Sequence, residues 1–149
     1  MTRTSSNAAG ERMAVFEQAA SYALETLDRV PLGALDRPSP CRGWSVGDVV
    51  LHLADVSDAV IDLVRIGELR LPAPRDRDTA DPAAHGWDIA TALDMERPIP
   101  DATATALLAL AEGRLTDAHR GDKFAAAVPV PAAAAPSDRF VAFLGRRPA

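Results

Sequence analysis

Apolar residues recur at three- and four-residue spacing through most of this chain and almost nowhere alternate. Over residues 11–30, Met13, Phe16, Ala20, Ala23, Leu24 and Leu27 share one face. That spacing predicts an amphipathic helix, stopped by Pro31 and Gly33. A second stripe over residues 45–69 is made by Val49, Leu53, Val56, Val60, Leu63 and Val64, with Asp48, Asp55, Asp58 and Asp62 on the wetter side. Residues 71–81 are rich in proline and charge and predict a loop. Asp81-Pro82 then has the form of a helix start, an acidic N-cap followed by proline at the first helical position. This third helix is expected to run to about Leu93. Asp101 opens a fourth, expected to reach Arg120 with Leu107, Leu108, Ala111, Leu115 and Ala118 inward and Gly121 closing it.

Residues 125–136 alternate alanine, valine and proline, which predicts an extended strap rather than a paired strand. Ser137-Asp138 opens a last short helix, with Phe140, Val141 and Leu144 inward and Gly145 ending it. The pattern as a whole is all-α, a four-helix bundle with a C-terminal strap and a short capping helix. One helical domain is expected over residues 10–149, behind a polar leader, residues 1–9, expected to be disordered. Composition agrees: 48% of residues are hydrophobic but only 5% aromatic, which suits closely packed helices better than a sandwich or barrel. The net charge of −5 supplies no electrostatic reason to bind nucleic acid. Arg146 and Arg147 read as a solvated basic tail. No apolar run approaches the roughly 20 residues that cross a bilayer, and the opening residues lack the order of a signal peptide. Cys41 is the single cysteine; it rules out an internal disulfide and a cysteine-only metal site and suits a reducing cytoplasm. The expectation is a cytoplasmic protein with neither nucleic-acid nor membrane partners.

Candidate chemistry gathers around Pro38-Ser39-Pro40-Cys41-Arg42-Gly43-Trp44-Ser45-Val46-Gly47-Asp48-Val49-Val50-Leu51-His52-Leu53, a rigid turn running into a capped helix. Ser45 with Asp48 three residues on is a variant capping box, and Trp44 and Val49 stand at the two positions of a hydrophobic staple. Trp44 is therefore expected to anchor the helix that aims His52. Asp48, four residues before His52, and Asp55, three after, share its face. His85 repeats the arrangement, with Asp81 four before and Asp88 three after. Two helices that each present an imidazole among carboxylates can hold a borderline divalent ion, a spare carboxylate orienting the ring through its other nitrogen. The spacing also allows bland roles: histidines at a polar boundary, Asp81 as an N-cap alone, Asp88 bonded to backbone at a helix end. His119, in the last turn of its helix, answers the macrodipole. Cys41, in a turn beside Trp44, reads as a small inert thiol.

Three blocks of the chain carry a family resemblance. They are residues 41–52, the run His85-Gly86-Trp87-Asp88-Ile89-Ala90, and Ala135-Pro136-Ser137-Asp138-Arg139-Phe140-Val141-Ala142-Phe143-Leu144-Gly145-Arg146-Arg147-Pro148. In order and content they resemble the actinobacterial metal-binding proteins related to mycothiol-dependent maleylpyruvate isomerase, within the wider DinB-like superfamily. The resemblance implies a DinB-like bundle with a divalent metal, zinc or nickel, held by His52, Asp81 and His85. It further implies thiol-linked transfer or isomerisation of a small metabolite, with mycothiol as a co-substrate. The metal would polarise a substrate oxygen or stabilise a thiolate.

The chain departs from the family pattern at two places. Asp81 stands where glutamate is usual and is followed by proline. The stretch between Ile66 and Asp81 is short, where relatives carry a further helix that walls the site. If Asp81 is committed as a cap, Asp88 or water is expected to complete the ligand set. An open wall exposes an apolar seam, which predicts a homodimer that covers it. Two other functions stay open on these residues. One is a non-catalytic binding or assembly protein that kept the bundle. The other is a metal-independent enzyme using Asp48, Asp55 or Asp88 as general acid or base.

Overall fold

Alanine and glycine let two helices approach closely. The structure, a computed structural model, describes residues 2–54, 76–120 and 124–149, with residues 2–6 and 76–81 described by their backbone alone. Helix α1 (Thr2–Leu27) is followed by α2, helical over residues 46–54 of the described chain, α3 (Asp76–Ala92), α4 (Asp101–Glu112) and α5 (Pro136–Phe143). Helix α1 packs extensively along α3, and α5 packs on α4. Ala19, Tyr22 and Ala23 of α1 and Ala83, Ala84 and Ala90 of α3 are buried. A Cβ placed on Gly86 would stand 2.9 Å from Tyr22 Cε1 and 3.1 Å from Ala23 Cα. The backbone of α1 cannot yield there without moving the helix. Gly86→Ala is thus expected to destabilise by about 1–3 kcal/mol through overpacking, read as a lower midpoint in a thermal melt. An unchanged or raised midpoint would show that the two helices are not in such close contact.

Among the described residues two apolar clusters form the interior. The larger joins α1, α3, α4 and α5 through Trp87, Leu107, Phe140 and Val141, with Ile99 from the connection before α4. The smaller joins α2 to α1 and α3 through Ala23, Val46, Val49, Leu53 and Ile89, with Cys41 packed at its edge. This second cluster positions the site, because it fixes α2 against α3. Among the described residues there is no strand, only an isolated bridge between Pro38 and Ser45. The strap is irregular, as its prolines require. Val128 N–H donates to Ala142 O (2.9 Å), and Arg120 Nη1 donates to Ala125 O (2.9 Å) and Phe143 O (2.8 Å), clipping strap to α5. Among the described residues no helix is long and apolar enough to cross a membrane.

Several boundaries differ from expectation. Helix α1 begins at Thr2 and includes residues 2–9 of the stretch expected to be a disordered leader. That stretch has no proline to break a helix, and Asn7 Nδ2 donates to Glu11 Oε1 one turn on (2.6 Å). Helix α3 begins at Asp76, so Pro82 lies inside it and Asp81 is not its N-cap. Residues 76–81 contain neither glycine nor proline, and an interior proline forgoes a backbone hydrogen bond without forbidding the helix. Helix α4 stops at Glu112, with Gly113 as C-cap donating to Ala109 O and Ala111 O; Pro100, not Asp101, is its N-cap. His119 therefore sits in a separate 3-10 turn, Asp117–His119, and Ala118 is exposed. The far part of the second stripe, Val56, Val60, Leu63 and Val64, lies outside the described residues, as do Asp55, Asp58 and Asp62.

Candidate metal centre

The turn before α2 is tied down by short-range hydrogen bonds. Ser39 N–H donates to Trp44 O (3.0 Å), Trp44 N–H to Cys41 O (3.0 Å), and Ser39 Oγ to Trp44 O (2.9 Å). Gly43, at φ +82°, supplies the left-handed step. The first amides of α2 are then satisfied in order. Val46 N–H donates to Arg37 O and Gly47 N–H to Leu35 O, each 2.8 Å, and Asp48 N–H donates to Ser45 Oγ (3.1 Å). Asp48 Oδ2 accepts from Ser45 N–H (2.8 Å), completing the capping box expected from the sequence. The Ser45 amide, then its hydroxyl, hold the Asp48 carboxyl below its usual range. Asp48 is an exposed cap, kept ionised by the helix it starts.

Trp44 is not the buried staple expected. It is 36% exposed, because Val49 packs inward on Val46, Leu53 and Ile89 and leaves the indole outside. The indole lies parallel to the His85 ring (7°, centroids 6.0 Å apart) and edge-on to His52 (72°, 5.2 Å). The two imidazoles meet each other edge to face, 4.9 Å between centroids. Residues from the turn, α2 and α3 thus converge as three rings. An open cleft of about 380 Å³ beside them is lined by Gly43, Trp44, Asp48, Leu51 and His52.

Behind His85 stands a buried ion pair. Asp88 is fully buried. Arg146 Nε donates to its Oδ1 and Arg146 Nη2 to its Oδ2, both 2.7 Å, while His85 Nδ1 lies 3.2 Å from Oδ2. Burial alone would push the Asp88 carboxyl up; the bonds from Arg146, then from His85, outweigh it and hold the carboxyl below its usual range. The Arg146 side chain is only 11% exposed, which corrects its reading as solvated tail; Arg147 alone of the pair is exposed. The physical reason is the buried carboxylate, which needs a cation.

The structure brings together His52, His85 and Asp88 of the residues singled out in the sequence. Asp48 sits at the cleft as a cap, and the Asp81 side chain, like Asp55, lies outside what is described. His119 is exposed and outside the cluster. Two residues were missed. Cys41, half-buried, has its thiol, a ring nitrogen of His85 and a carboxylate oxygen of Asp88 all within 4.8 Å of one another. Thiol, imidazole and carboxylate are donor types that zinc accepts, although both oxygens of Asp88 are here held by Arg146. The signal for Cys41 was its place three residues before a tryptophan that closes a turn. For Arg146 no periodic signal existed, since its partner is 58 residues away.

The described residues form an all-helical bundle in which histidines from two helices face one another, as expected of a DinB-like fold. The family model described as mycothiol maleylpyruvate isomerase N-terminal domain matches residues 16–149, and the chain belongs to this family. No curated protein and no solved structure matches it.

Proposed function

We propose that this protein binds one divalent ion, zinc or nickel, at His52 and His85 with Asp81 as third ligand, and uses it in thiol-linked transfer or isomerisation of a small metabolite, with mycothiol as co-substrate. The observation that carries the reading is the 4.9 Å approach of the two imidazoles from separate helices, one of them backed by a carboxylate. The donor set fits the ion: imidazole and carboxylate suit borderline divalent metals. When bound, the ion supplies Lewis-acid polarisation of a substrate oxygen or stabilisation of a thiolate. The chain's own residues do the rest. Asp88 accepts from Nδ1 of His85 and orients the ring, as supporting carboxylates do in metal sites. Trp44 buttresses both imidazoles, and Trp44 and Leu51 give the cleft apolar walls against which a small substrate can lie. With both oxygens engaged by Arg146, Asp88 serves as an orienting group rather than a general acid or base. The protein acts as a homodimer.

The test is calorimetric titration of chelator-stripped protein with zinc and with nickel, in the wild type and in His52→Ala and His85→Ala. Wild type is expected to bind one equivalent. Each variant should lose more than the roughly 10–100-fold that removal of a mere supporting partner costs. Undiminished binding in either variant would remove that histidine from the ligand set.

A further inference from the structure

We infer that Arg146 is a positioning residue for the His85 site, holding the Asp88 carboxylate so that His85 presents Nε2, not Nδ1, as its lone-pair nitrogen. The inference deepens the metal reading, and rests on it only where metal affinity is the readout.

The chain aims Arg146 by a helix-end motif. After α5, Gly145 takes φ +88°. Gly145 N–H donates to Ala142 O and Arg146 N–H to Val141 O, each 3.0 Å. These are the two bonds of a Schellman turn, which reverses the backbone and sends the residue after the glycine back toward the bundle. There the guanidinium meets Asp88 fork to fork, through Nε and Nη2, at 2.7 Å each. Two parallel bonds fix the plane of a carboxylate, where a single ammonium would leave it free to rotate. With that plane fixed, Oδ2 faces His85 Nδ1 at 3.2 Å.

The consequence lies in the imidazole. A carboxylate only accepts hydrogen bonds, so the nitrogen facing it carries the proton, and the neutral ring's lone pair is at the other nitrogen. Nδ1–H to Asp88 therefore assigns the lone pair to Nε2. Trp44, parallel to the ring, limits tilting out of this plane. Arg146 acts on the ring through Asp88. The segment after α5 is in this way part of the site, although it is remote from it in sequence.

Two measurements test this. In metal-free wild type at mildly alkaline pH, long-range nitrogen–proton correlation NMR is expected to show His85 as the Nδ1–H tautomer. In calorimetry, Arg146→Met should bind zinc about 10–100-fold more weakly than wild type, with Arg146→Lys in between, and circular dichroism should show that helix content is kept. An Nε2–H tautomer in the wild type would overturn the inference, as would a folded Arg146→Met that binds zinc like the wild type. If neither variant folds, the wild-type tautomer decides. If wild type shows the Nδ1–H tautomer but binds no zinc, the metal reading fails and the clamp stands. If it binds zinc with the proton on Nε2, the clamp fails and the metal reading stands.

Discussion

Asp88→Ala is expected to destabilise the protein by about 3–5 kcal/mol, the cost of removing one member of a buried ion pair. The carboxylate is fully buried and serves two donors, Arg146 and His85. Without it, a guanidinium that is only 11% exposed loses two 2.7 Å hydrogen bonds to a carboxylate, and Nδ1 of His85 loses its acceptor. For a chain of this length each kcal/mol moves the melting midpoint by roughly 2–4 °C, so a fall on the order of 10 °C should be seen by circular dichroism. The wild type should reach a related state in acid. The folded carboxyl titrates below its unfolded value, so its contribution is present above the ordinary carboxyl pKa and is lost as pH falls through the lowered one. A midpoint for Asp88→Ala within experimental error of wild type would mean that the pair is solvated and supports nothing.

Phe140→Ala carries the second large effect, about 3–5 kcal/mol for truncating a fully buried aromatic. Phe140 has no exposed surface and belongs to the cluster shared by α1, α3, α4 and α5. Helix α5 has only eight residues, too few to hold helical form without tertiary packing. Loss of the ring should therefore loosen the Schellman turn that follows and with it the reach of Arg146 to Asp88. The expected result is a lower melting midpoint together with weaker zinc binding. A variant that melts early yet binds zinc undiminished would show that the anchoring of α5 and the order of the site are independent.

What was legible in the sequence follows from the range of the interactions concerned. The stripe of α5 and most of that of α4 could be read because a buried helix face repeats every 3.6 residues; in α1 the buried face is instead Ala19, Tyr22, Ala23 and Thr26, and Leu24 of the expected stripe is 54% exposed. The Ser45–Asp48 capping box could be read because its bonds span three positions. The meeting of His52 and His85 was suggested by similar carboxylate spacing on two helices and by family resemblance. It was not visible in either helix alone. Pro82 was ambiguous in principle, since one proline is compatible with a helix start and with a bend in a longer helix. Trp44 has the right position for a staple, but Val46 and Ile89 compete for Val49, and the indole stacks on His85 instead. Arg146 was hidden most deeply. A basic residue near the end of a polar segment looks solvated until the fold places a buried carboxylate within its reach.

Whether this bundle holds a divalent ion at His85 and His52 is tested most directly by elemental analysis of protein purified without a metal-binding tag. About one zinc or nickel ion per chain is expected, released only when a chelator competes for a site whose binding energy is coupled to the folded arrangement of its ligands. Folded wild-type protein that carries no divalent metal above background, and takes up none on titration, would contradict that expectation.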